Sequence, residues 1–171
     1  MPVRGQDQSI DARSLWNIAM SEIHNRIHEG RLYFVSRRVR GSAAVMEIHV
    51  KTGARSVHFE TVGKAGLATP LDVIEGVTIS NDGTAVVSRN FNRNFADDGG
   101  LARVFHTPAY TGGTVIKENQ AGFGSSPGLG SASESDGRRE YVLKPNTSYV
   151  FKLAPTGSTD VVFIGEYYEE L

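Results

Sequence analysis

At 171 residues the chain fits a single domain with a sizeable core. Its 18 Lys plus Arg against 19 Asp plus Glu leave a net charge of −1, without the basic excess of a general nucleic-acid binder, and the absence of cysteine excludes disulfides and thiolate metal sites. No apolar run approaches the roughly 20 residues of a membrane helix, and the opening MPVRGQDQSID lacks the apolar centre of a signal peptide, so a soluble protein made in the cytoplasm is expected.

Residues 1 to about 12 are polar and aperiodic, and residues 1–20 as a whole read as an N-terminal arm preceding one domain over 21–171. From Ser14 the period changes: Leu15, Ile18 or Ala19, Ile23 and Ile27 fall on one helical face, with Gly30 as the stop. After Gly30 the period becomes two. LYFVSRRV (32–39), AAVMEIHV (43–50) and RSVHFETV (55–62) read as strands, followed after Pro70 by LDVIEGVTIS (71–80) with a bulge or bend at Gly76. Asn81-Asp82-Gly83 is the strongest turn signal, because Asp-Gly supplies the positive φ of a tight hairpin, and TAVVSRNF (84–91) reads as the returning strand. LARVFHTP (101–108) and GTVIKE (113–118) follow. The composition then shifts to Gly, Ser and Ala over about 120–137, which predicts a long exposed loop.

The stretch EYVLKPNTSYVFKL (140–153) alternates on both sides of a turn. Tyr141 and Leu143 share a face before it, and Tyr149, Phe151 and Leu153 share one after it, while Glu140, Lys144, Ser148 and Lys152 fill most of the opposite face. Pro145 fixes φ and donates no ladder bond, and Asn146 is able to bond its own backbone, so the run turns there and predicts a hairpin. With VVFIGEYYE (161–169) the count reaches eight to ten short strands without βα alternation, which predicts an all-β antiparallel sandwich or barrel.

Candidate chemistry is sparse. His24 and His28 are four apart and share a helical face, but HNRIH lacks the glutamate of a metallopeptidase motif and no third ligand is identifiable. GFGSSPGLG (122–130) lacks the Gly-Lys-Ser/Thr ending of a phosphate loop, and no Gly-x-Ser-x-Gly elbow occurs. Asp97-Asp98-Gly99-Gly100 reads as a polar turn. Glu166 and Glu169-Glu170 flank two tyrosines that are expected to split between core and surface on an edge strand. No catalytic, cofactor-binding or metal residues are therefore expected. A cupin-like metallohydrolase would need ligands from His49, His58 and His106, which lack the His-x-His and following Glu of such sites.

NRIHEGRLYFVS (25–36), VTISNDGTAVVSRNFNRN (77–94), VFHTP followed by GGTVI (104–116), EYVLKPNTSYVFKL and GEYYEE (165–170) together resemble a group of tailed-bacteriophage structural proteins that decorate or cement the outside of the capsid. The resemblance spans roughly 21–171 and rests on order and spacing, not on any one motif. It implies a jelly-roll-like β-sandwich without enzymatic activity or cofactor, present in many copies on the outer surface of the virion. It also implies binding to the major capsid protein and self-association, with a trimer favoured. Under that reading Leu15, Trp16, Ile18 and Ile23 are candidate contacts with shell or neighbouring subunit. The alternative is a carbohydrate- or receptor-binding sandwich of a phage particle. Such sites usually expose aromatic platforms, and here the single tryptophan, Trp16, lies outside the expected sheets.

Overall fold

The computed structural model describes residues 24–121 and 139–170. Thirteen strands account for most of them: β1 (Tyr33–Ser42), β2 (Met46–Lys51), β3 (Val57–Ala65), β4 (Thr69–Glu75), β5 (Thr78–Asn81), β6 (Thr84–Ala85), β7 (Arg89–Asn90), β8 (Arg103–His106), β9 (Ala109–Thr111), β10 (Thr114–Ala121), β11 (Arg139–Leu143), β12 (Ser148–Leu153) and β13 (Thr159–Glu169). They form an all-β antiparallel sandwich. One sheet has the order β11-β3-β13-β1-β7 and the other β10-β4-β12-β2-β8-β6, while β5 and β9 pair as a separate ribbon. A short helix, residues 24–28, precedes β1.

The inward positions follow from the period of two. Tyr33 and Val35, Val57 and Phe59, Val161, Phe163 and Tyr167 face inward from one sheet. Met46, Ile48 and Val50, Leu71 and Val73, Tyr149, Phe151 and Leu153 face them from the other. At the centre the Phe59 ring stacks on Phe151 from the opposite sheet at 5.1 Å and on Tyr167 at 5.8 Å. Gly165 makes room for it, since a Cβ there would lie 2.6 Å from Phe59 Cζ. Tyr167 and Tyr168 divide as expected, Tyr167 to the core and Tyr168 to the outer face, but on a central strand rather than an edge one, since β13 lies between β3 and β1.

Pairing departs from the sequence reading in a consistent way. No two strands consecutive in the chain share a sheet, so among the described residues every link is an arch and none is a hairpin. EYVLKPNTSYVFKL is such an arch: β11 pairs with β3 in one sheet, and β12 pairs with β2 and β4 in the other. Alternation specifies which face of a strand is dry; two core-facing strands satisfy it equally from the same sheet or from opposite ones. The turn itself forms where Pro145 and Asn146 place it, with Asn146 at φ 50°. It is held by the β2–β3 loop. Thr52 Oγ1 donates to the Lys144 carbonyl at 2.7 Å and accepts from Thr147 N–H at 2.8 Å, and Asn146 N–H donates to the Gly53 carbonyl at 2.7 Å.

Two stretches read as single strands are split for the same reason. The 71–80 run breaks at Gly76, φ +70°, into β4 and β5, and the 84–91 run breaks into β6 and β7, which edge opposite sheets. Asn81-Asp82-Gly83 does turn, with Gly83 at φ +90° and Gly83 N–H donating to Asn81 Oδ1, but β5 pairs with β9 and β6 with β8. The Gly/Ser-rich run also begins later than expected, since Gln120 and Ala121 still belong to β10; residues 122–138 lie outside the described residues.

The β5–β9 ribbon lies on the outer face of the second sheet. Ile79 and Tyr110 pack there on Ile74, Val77 and Val150, forming a small second core.

Candidate interaction surface

Leu15, Trp16, Ile18 and Ile23 lie outside the described residues, so the surface is built from residues 24 onward. The helix of residues 24–28 ends at Gly30, as its sequence predicts. Arg31 N–H donates to the Arg26 carbonyl and Gly30 N–H to the Ile27 carbonyl, with Gly30 at φ +68°, the pattern of a Schellman cap. Two contacts fix this cap to the sandwich. Asn90 Nδ2 donates to the Gly30 carbonyl at 2.6 Å from a buried position, and the Phe95 ring covers Gly30 so closely that a Cβ would overlap it. The Arg26 guanidinium lies 5.3 Å from the centroid of the Tyr168 ring, so the helix sits against the outer face of the β11-β3-β13-β1-β7 sheet.

The loop carrying Asp97 and Asp98 supports this attachment. Asp97 accepts from Arg93, Arg89 and Asn90 N–H, and the Arg93 hydrogen bond, with the Asn90 amide next, draws its pKa down to about 2. Asp98 accepts from Gly100 N–H and from Tyr33 Oη at 2.7 Å. Both carboxylates are thus taken up by donors of the same chain, the polar-turn reading. Glu169 acts similarly, accepting from Leu101 and Ala102 N–H at 2.6 and 2.7 Å.

One lateral edge of the sandwich is different in character. β10 ends one sheet and β11 ends the other, and all described side chains of Thr114–Glu118 are exposed. Val115 is 47% exposed and Ile116 44%; Val142 on β11, 59% exposed, lies on the outer face of the other sheet opposite His58. The register between β10 and β4 shifts between Val115 and Lys117, so Ile116 has no residue opposite it and turns out of the ladder. Sequence reasoning places 113–118 on a strand but misses this surface. A signal for it is present: Val115 and Ile116 are adjacent, and neighbours on a regular strand cannot both face one core.

The histidines do not converge. His49 faces outward from one sheet beneath the β5–β9 ribbon, fully buried, and His58 faces outward from the other, while His106 ends β8. The described residues contain no group of three or more His, Asp or Glu arranged to hold a metal ion. Ser148, His49 and Asp82 stand in the order of a nucleophile, base and orienting carboxylate, with Ser148 Oγ 3.2 Å from His49 Nε2. Yet His49 Nδ1 and Asp82 Oδ1 are 3.5 Å apart, and both are buried without a hydrogen-bond partner. Burial pushes the His49 pKa down against the opposing Asp82 charge, so the imidazolium that proton abstraction requires is disfavoured. The row reads as a polar tie between the ribbon and the sheet.

His58 is a tie of opposite sign. Its Nδ1 meets Glu140 Oε1 at 2.5 Å and its Nε2 meets Glu170 Oε1 at 3.1 Å, joining β3 to β11 and to the end of β13, while the ring stacks on Tyr168 at 4.6 Å. Burial opposes the charged ring, but the hydrogen bonds and charges of Glu140 and Glu170 outweigh it and hold the His58 pKa above its ordinary value. The stability it contributes is therefore fully present below the unfolded-state value of about 6.5 and is lost as pH rises through the raised folded value. Melting curves of wild type and His58→Gln should differ most near pH 6 and converge toward alkaline pH. A difference independent of pH would overturn this account.

Comparison with protein-family models, with curated proteins and with solved structures returned no match.

Proposed function

We propose that the protein is a structural component of a tailed-phage virion that binds the outside of the capsid and stabilises the expanded shell. The observation that carries the reading is the β10 edge, where Val115 and Ile116 stand exposed at the end of one sheet, with no further strand paired to it among the described residues. Exposed strand margins with aliphatic side chains are surfaces that proteins otherwise cover or blunt, and they suit pairing with another chain. The order and spacing of the motifs, from NRIHEGRLYFVS to GEYYEE, supply the partner class: the major capsid protein, with neighbouring copies of this chain in a trimer. The arm that carries Leu15, Trp16, Ile18 and Ile23 is a second contact with the shell or a neighbour. The helix of residues 24–28 that follows it in sequence is held to the sandwich through Asn90 and Phe95.

The mechanism is linkage. A ligand that binds only the assembled, expanded form raises the free energy needed to disrupt it, and repetition over symmetry-related sites makes modest single contacts effective. The test is co-sedimentation of purified protein with expanded capsids that lack it, titrated to saturation. Saturable binding at a symmetry-related copy number, with raised capsid melting, is expected. Ile116→Lys and Val115→Lys should weaken it at least tenfold in proteins that melt like wild type. Deletion of residues 1–20 should also weaken it. Absence of binding by well-folded protein would sink the proposal and direct attention to glycan binding.

A further inference from the structure

Independently of that partner, we propose that His24 and His28 form a surface chelate for a late first-row divalent cation of the Ni(II) or Cu(II) class. The two Nε2 atoms converge to 2.9 Å, with the rings edge-to-face and their centroids 4.5 Å apart, on exposed side chains one helical turn apart. Without metal, this separation is that of an N–H···N hydrogen bond in which one imidazole donates to the other. It is also the bite of two metal ligands. Nitrogens about 2.0–2.1 Å from a common ion and 2.9 Å apart subtend ~90° there, the cis angle of tetragonal or octahedral coordination, whereas a tetrahedral zinc site would need ~3.4 Å. Binding requires both rings in the tautomer with the proton on Nδ1, so the shared proton leaves Nε2 as the ion enters.

The scaffold holds this geometry. The chelate spans the last turn before the Gly30 cap, which is fixed by Asn90, and Asn92 Nδ2 reaches the His28 carbonyl at 3.5 Å. The nearest carboxylate in sequence, Glu29, lies within ion-pair distance of Arg26 and Arg31 at 3.9 and 3.7 Å, and no third His, Asp or Glu joins the pair among the described residues. Water fills the remaining positions. The other histidines are poor competitors: His49 is buried against Ser148, His58 lies between two carboxylates, and the Arg37 charge disfavours a cation at His106. A chelate across i and i+4 fastens the helical turn that precedes the Gly30 cap, and so stabilises the helix by linkage.

Titration of the full chain with NiCl2, CuCl2 and ZnCl2 tests this, read by calorimetry and, for copper, by electron paramagnetic resonance. One ion per chain is expected, with Ni(II) bound more tightly than Zn(II) and nitrogen hyperfine structure from two imidazoles for Cu(II). His24→Ala and His28→Ala should each weaken binding at least tenfold and abolish the metal-dependent rise in melting temperature, while His106→Ala leaves both intact. Wild-type affinity in the two variants, tighter binding of Zn(II) than Ni(II), or absence of one-to-one saturation would overturn the proposal.

Discussion

Phe59→Ala is expected to destabilise the domain by about 3–5 kcal/mol, the range for removing a fully buried phenylalanine from a packed core. The side chain is 0% exposed and its ring contacts reach both sheets: Phe151 from the facing sheet, Phe163 and Tyr167 from its own. Truncation therefore removes apolar burial and also unseats three stacked rings, each of which contributes beyond its area. Because Gly165 has no side chain with which to fill the space, the cavity cannot collapse from that side. Against a total stability of about 5–15 kcal/mol for a typical domain, this loss is large. Urea denaturation monitored by circular dichroism measures it; a loss below about 1 kcal/mol would mean that the aromatic cluster does not hold the sheets together. Phe59→Leu, which keeps most of the volume, should recover much of the difference.

The second large effect is expected at Gly83. Two costs combine there. The residue has φ +90°, which costs a side-chain-bearing residue about 1–2 kcal/mol. In addition, a Cβ would lie 2.3 Å from the His106 carbonyl oxygen and 2.8 Å from that of Thr107. Both obstacles are backbone, and Thr107 itself has a positive φ of 57°, so relief requires moving β6 off β8 where Thr84 pairs with His106. Overpacking of this kind typically adds about 1–3 kcal/mol, for a total of about 2–5 kcal/mol in Gly83→Ala. Gly112→Ala is the matched control, since Gly112 has φ +66° with open space where its Cβ would stand. The excess of the first loss over the second isolates the steric part. Equal losses would show that only the backbone conformation matters.

The contrast between legible and illegible features has one physical origin. The alternation of Tyr149, Phe151 and Leu153, and of Tyr141 and Leu143, correctly marks the dry faces, because burial acts on each side chain through its own environment. Gly30 as the helix stop is legible too, since a left-handed C-terminal residue is a local requirement. Strand partnership is a property of two distant segments, and nothing in the 140–153 or 84–91 runs specifies it. Hence both read as continuing in one sheet although they change sheets. Asp-Gly at 82–83 misleads for the same reason: positive φ reverses a chain but does not choose what it pairs with afterwards. On the candidate surface, the shared helical face of His24 and His28 comes directly from their spacing. The exposure of Ile116 depends on a register shift against β4, although its adjacency to Val115 is a usable clue. The burial of His49 depends on the ribbon that crosses it, built from residues 78–81 and 109–111, and no feature of MEIHVK announces it.

The position of β13 has a consequence for biosynthesis. β13 lies between β3 and β1, so on a translating ribosome the centre of this sheet stays open until residues 159–169 have been made. Since no consecutive strands pair among the described residues, this part of the nascent chain has no local hairpins in which to store partial order, and its contacts are of high sequence separation. A chain that stops near residue 158 keeps the other described core strands but loses the strand that joins β1 and β7 to β3 and β11.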